Sequence, residues 1–196
     1  MDIIAPALIA FNAAVLVGFL GHFGVEDYRR FRDSQAIAAA LAGELSSIIT
    51  SLSELRDNLT KLKALADQEI PISMPEMPDQ SSPLFEANAD KIGLLGVDLA
   101  EGVAFIYDQI RAFRTSFQLL SKYHKINTCF WSSMLIGRCA QLIDDNKPKG
   151  ISLVGSLKKH SKLDYAMLQP VRVAVLAVVT LLSLSGLFGA VFCLWH

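Results

Sequence analysis

The side chains whose chemistry extends beyond packing are few: the acidic pair Asp144 and Asp145, four histidines (His22, His124, His160 and His196) and three cysteines (Cys129, Cys139 and Cys193). Neighbouring carboxylates divide general acid and base work when their surroundings push their pKa values apart. Histidines and thiolates hold metals when they recur at short fixed spacings. Neither pattern is present. The histidines are isolated, the cysteines form no CxxC pair and no even framework, and Asp144 with Asp145 reads as a solvated helix end. No P-loop, no GxGxxG after a strand, no HExxH and no GxSxG occurs. The expectation is a non-enzyme without cofactor, metal or identifiable small-molecule substrate, kept in a reducing compartment.

Other residues do physical work by position. The chain is 52% hydrophobic and 19% charged, with a mean hydropathy of +0.38, too apolar for an ordinary soluble chain. The excess is concentrated in residues 3–23 and 173–195, both free of charged side chains. Roughly 20 apolar residues in a helix cross a hydrocarbon core of ~30 Å, so each stretch reads as a transmembrane helix. A signal peptide fits residues 3–23 poorly, because Asp2 stands in place of a basic leader and GHFGVED follows in place of small residues. Within the first segment Asn12, flanked by the small residues Ala10, Ala14 and Gly18, is positioned for a helix contact or a pore. Ser185 and Gly189 offer the same in the second.

Basic residues mark the inner flanks. Arg29, Arg30 and Arg32 follow the first segment, Lys158, Lys159, Lys162 and Arg172 precede the second, and the outer flanks hold no Lys or Arg. Lys and Arg are retained on the cytoplasmic side, which places both termini outside and residues 25–172 in the cytoplasm. The same cations are candidates for anionic headgroups. The net charge of −1, with no basic stripe carrying interleaved aromatics, excludes a nucleic-acid partner.

The elements that position these residues are helices. Ala38, Leu41, Leu45, Ile48, Leu52, Leu55, Leu59, Leu62 and Ala66 fall on alternating steps of three and four, predicting a long coiled-coil helix over 33–67. Pro71, Pro75, Pro78 and Pro83 make 68–83 a loop. A short helix over 84–91 follows, stopped by Gly93. Asp98 and Glu101 then form a capping box opening a helix over 98–125, whose seam is Leu99, Val103, Ile106, Ile110, Phe113, Phe117 and Leu120. The two seams are expected to form an antiparallel hairpin with the Pro-rich loop at its tip. Helices over 128–145 and 151–168, separated by Pro148 and Gly150, complete a four-helix bundle and return the chain to the bilayer. Residues 98–145 can also be read as one helix. The fold expected is therefore an all-α membrane protein.

Residues 85–110, FEANADKIGLLGVDLAEGVAFIYDQI, resemble a pattern in small uncharacterised bacterial membrane-anchored helical proteins: an Asn (Asn88), a Gly-containing turn (Gly93 to Gly96) and a helix bearing an aromatic pair (Phe105, Tyr107). The resemblance implies a bacterial source and a helical hairpin, and no activity. The function expected is that of a scaffold or assembly protein, self-associating or binding a protein partner through its membrane helices and hairpin. A channel or membrane-permeabilising effector, of antiphage or toxin type, and an accessory subunit of a larger membrane complex are the alternatives.

Overall fold

The computed structural model describes residues 25–75 and 81–165 continuously, together with single positions at 10, 11, 14, 17, 18, 174, 177, 178, 180, 181 and 185. The protein is all-α. Among the described residues there are four α-helices: α1 (Val25–Asp67), α2 (Pro83–Asn88), α3 (Val97–Tyr123) and α4 (Cys129–His160), with a 3₁₀ helix (Ala89–Leu95) between α2 and α3. Contacts divide the chain into two compact units, Ser34–Ser161 and a second made of Met1–Asp33 with Lys162–His196.

Within Ser34–Ser161, side-chain contacts fix the direction of every pass. Ser34 meets His160, Ser53 meets Lys147, Arg56 meets Asp144 and Asp67 meets Ser133, so α4 runs antiparallel to α1. Gln109 meets Asn146 and Gly102 faces Leu153, so α3 is also antiparallel to α4. It follows that α3 is parallel to α1, with Tyr107 lying at Glu44. The expected antiparallel hairpin of 33–67 with 98–125 is thus corrected. The return is made by the segment between them: Met74 lies at His124, Ser82 at Arg114, Phe85 at Tyr107 and Leu94 at Ser34. This strap is the bundle's fourth pass, where a helical hairpin tip was expected.

Two clusters of buried apolar side chains form the core. One, toward the end where Ser34 meets His160, includes Leu41, Leu45, Val103, Ile106, Val154 and Leu157. The other, toward the end where Asp67 meets Ser133, includes Leu59, Met74, Phe117, Leu120, Ile136 and Cys139. The seams read from the sequence supply five of the twelve buried residues of the first and four of the eight of the second.

The helix bounds have local causes. Gly96, at φ +84°, lets the chain turn into α3 without a side-chain cap, so the expected Asp98–Glu101 capping box does not form; Asp98 instead lies in the first turn, where a negative charge suits the helix dipole. At the start of α4 the Thr128 hydroxyl accepts from Trp131 N–H at 3.2 Å, which ends the alternative of one continuous helix over 98–145. The two helices expected over 128–145 and 151–168 are one: α4 runs through Pro148 to His160. Proline removes a single backbone donor on the exposed side, while Ile143, Leu153, Val154 and Leu157 bury the opposite face on both sides of it. Asp144 and Asp145 therefore lie inside a helix, not at its end.

In the other unit, Tyr165 packs edge-on against Phe31 (5.2 Å between ring centres) and Tyr28 (5.8 Å), and its hydroxyl donates to Asp27 at 2.5 Å. The segments 3–23 and 173–195 lie outside the described residues except at single positions. Those at 10, 11, 14, 17, 18, 174, 177, 178, 180, 181 and 185 are helical, and Phe11, Val17, Val178 and Leu181 among them are exposed. Among the described residues one helix, α1, is long and apolar enough to cross a membrane by length and composition. Its apolar middle, Ile37, Ala38, Leu41, Ala42 and Leu45, is buried against α3 and α4.

Candidate functional site

The buried polar groups sit at three levels of the bundle. At one end, Ser34 Oγ donates to the carbonyl of Leu94 at 2.9 Å and stands 2.7 Å from His160 Nε2. A hydroxyl has one hydrogen, and Leu94 takes it, so His160 Nε2 carries the proton and donates to Ser34. This polarity is the reverse of a serine activated by a histidine base; the pair ties α1, α4 and the turn before α3 together. Burial pushes the His160 pKa down, favouring the neutral ring. Lys158, Lys159 and Lys162, its neighbours in the sequence, are exposed, so His160 is separated from the basic cluster it was read with.

One level further along, the Glu44 carboxylate collects three donors. Tyr107 Oη donates at 2.6 Å, and the backbone N–H groups of Leu84 and Phe85 donate at 3.1 Å and 3.2 Å. The carboxylate caps the first turn of α2 from a different helix. Phe85 stacks on Tyr107 with ring centres 4.0 Å apart. Burial, reinforced by the hydrogen bond to Glu44, pushes the Tyr107 phenol pKa far up, so it remains a donor. Beyond it Arg114 holds the strap through Ser82 Oγ at 2.9 Å and the Ser81 carbonyl at 3.2 Å. His124 pins it again: Nδ1 donates to the Ser121 carbonyl at 2.9 Å, and Nε2 accepts from Met74 N–H at 3.4 Å.

Between the two core clusters the packing opens. The seam residues Ile48, Leu52, Leu55, Ile110 and Phe113 are only half-buried although the heptad pattern runs through them unbroken. They line a half-open cavity of about 170 Å³ between α1, α3 and α4. Its lining includes the amides of Gln109 and Asn146, 3.5 Å apart, and the cations Arg114 and Lys147, with no carboxylate among the described residues. Lys147 donates to Ser53 at 2.7 Å. Just past the rim, Arg56 grips Asp144 through Nε and Nη2 at 2.9 Å and 2.8 Å. That contact holds the Asp144 carboxyl below the usual carboxylate range.

At the far end Ile126, Phe130 and Met134 are 81%, 73% and 58% exposed, a patch on the α3–α4 turn and the first turns of α4. Beside it a hollow of about 420 Å³ is lined by Asp67, Glu69, Thr128, Cys129, Phe130 and Ser133, with Ala66 at its floor. Lys63 and Ser133 both bond Asp67 and hold its pKa down. No cluster of three or more metal-ligating side chains occurs among the described residues.

The residues selected from the sequence are distributed differently. Arg29, Arg30, Arg32 and Lys162 are exposed, as are Ala10, Ala14, Gly18 and Ser185, and Arg30 pairs with Glu26 at 3.2 Å. Asn12, Gly189 and Arg172 lie outside the described residues. Glu44, Arg114 and Lys147 were not singled out from the sequence. Glu44 carried a signal nonetheless, as the one charged residue within the apolar run from 35 to 52. Comparison with protein-family models, with curated proteins and with solved structures finds nothing that matches the chain.

Proposed function

We propose that the protein is a non-enzymatic scaffold of a bacterial inner membrane, anchored by residues 3–23 and 173–195, that self-associates through its cytoplasmic bundle. The observation that carries the reading is the Tyr165 contact with Tyr28 and Phe31, locked by the hydroxyl of Tyr165 on Asp27. It holds the inner flanks of the two apolar segments side by side, as two helices entering one bilayer require. Exposed Arg29, Arg32 and Lys162 stand in the same flanks, where cations face the cytoplasm and anionic headgroups. Phe11, Val17, Val178 and Leu181, helical and exposed, suit lipid contact.

Self-association rests on the far end of the bundle. Ile126, Phe130 and Met134 form an apolar patch, with the acids Asp67 and Glu69 on the α1 side of it and exposed Lys122 and Lys125 on the α3 side. A two-fold related copy sets acid against base around an apolar centre. Two measurements test the reading. In intact cells a membrane-impermeant maleimide is expected to label Asp2→Cys but not Asp57→Cys, each made without the native cysteines. The particle in mild detergent is expected to have at least the mass of two chains, lost in Phe130→Glu. Labelling of Asp57→Cys from outside, or a monomer in mild detergent, would reject it.

A further inference from the structure

A gap in the middle of a coiled-coil seam is costly, because protein interiors are close-packed and a void forfeits the contacts of its walls. Here the gap follows from shape and not from missing apolar residues: Ile48, Leu52 and Leu55 on α1 face Ile110 and Phe113 on α3 across it. Gly150 keeps the α4 wall open and close at once, since a Cβ there would meet Ile49 Cδ1 at 3.2 Å. At about 170 Å³ the half-open cavity has the volume of the ~150 Å³ aliphatic cavities that take up a benzene-sized molecule. That volume and apolar lining suit an alkyl group of modest length.

The rim adds a charge requirement. Among the described residues the ionised side chains lining the cavity, Arg114 and Lys147, are both cationic. Each retains donors beyond its bonds to Ser82 and Ser81 for Arg114 and to Ser53 for Lys147, and the Gln109 and Asn146 amides line the same cavity. We propose that the waist cavity binds the alkyl chain of a free medium-chain fatty acid, with its carboxylate held at the rim by Lys147 and Arg114. The site is independent of the far-end patch and of self-association, and its test rests on the membrane anchoring proposed above.

The test uses the full chain in lipid nanodiscs and a diazirine-bearing octanoate, with adducts mapped by peptide mass. Saturable labelling is expected within residues 45–55, 106–114 and 143–150, and octanoate should displace the probe at a lower concentration than octanol. Lys147→Gln with Arg114→Gln should raise the octanoate needed about tenfold while octanol is unaffected. Leu52→Trp, which fills the cavity, should abolish labelling with the helical circular dichroism retained; Ile110→Trp provides a second filling variant if that chain does not fold. Adducts confined to residues 3–23 and 173–195, labelling that does not saturate, equal competition by octanol, or labelling unchanged in a folded filled variant would overturn the proposal.

Discussion

Ser34 accepts a hydrogen bond from His160 across 2.7 Å while donating its own hydrogen to Leu94. The histidine is thus the donor of a three-element knot and is held neutral by burial, with a folded pKa below its ordinary 6.5. The unfolded chain takes up this proton near pH 6.5 and the folded chain only at lower pH. The fold therefore keeps its full contribution above 6.5 and loses it as pH falls through the folded value. Urea midpoints should drop between pH 7.5 and 5, and His160→Gln, which keeps a donor, should flatten that drop. Asp67 and Asp144, whose pKa values are lowered from 3.8, act in the same direction only in more acid solution.

Glu44 gives a second expected outcome. Glu44→Ala removes the acceptor of Tyr107 and of two N–H groups that open α2, and should lower stability by about 2–3 kcal/mol, whereas Tyr107→Phe should cost less, since the caps remain. Urea unfolding at pH 7.5 measures both.

Core truncations should report the waist. Leu41 and Leu120 are fully buried, so Leu41→Ala and Leu120→Ala should each cost about 2–5 kcal/mol. Leu52→Ala, in the wall of the cavity, should cost clearly less. Equal losses at the three positions would mean that the waist is as tightly packed as the two clusters.

The thiols should differ in reactivity. Burial pushes the Cys139 thiol up to about 11, and Cys129 is half-buried beside the far-end hollow. In a Cys193→Ser chain, iodoacetamide at neutral pH should modify Cys129 first and Cys139 only on unfolding.

Much of this fold was legible in periodicity. The heptad run from Ala38 to Ala66 and the seam from Leu99 to Leu120 lie on helices and supply nearly half of the core, because a buried face imposes its spacing on the residues that fill it. The direction of α3 was not legible: the pass that returns the chain, through Met74, Ser82, Phe85 and Leu94, is built of one short α-helix and a 3₁₀ helix, too short to carry a period. Pro148 looked like a terminator, yet a single lost donor is outweighed by apolar contacts on both sides. In the turn before α3, Gly93 and Gly96 looked equivalent. Only Gly96 has a positive φ, so Gly96→Ala should cost about 1–3 kcal/mol and Gly93→Ala little, a difference thermal melts will show. The waist cavity was hidden because heptad spacing says which residues face inward and not how far apart the helices stand.

Closure of the bundle by Ser34 and His160 joins residues 126 positions apart. During synthesis the partner surface for Leu41 and Leu45 is incomplete until Val154 and Leu157 have left the ribosome. A nascent chain thus displays a half-finished seam for most of its translation, and contacts of such long range form slowly. Truncation anywhere before α4 ends would leave an apolar helix seeking cover, a ready substrate for chaperones and for neighbouring nascent copies.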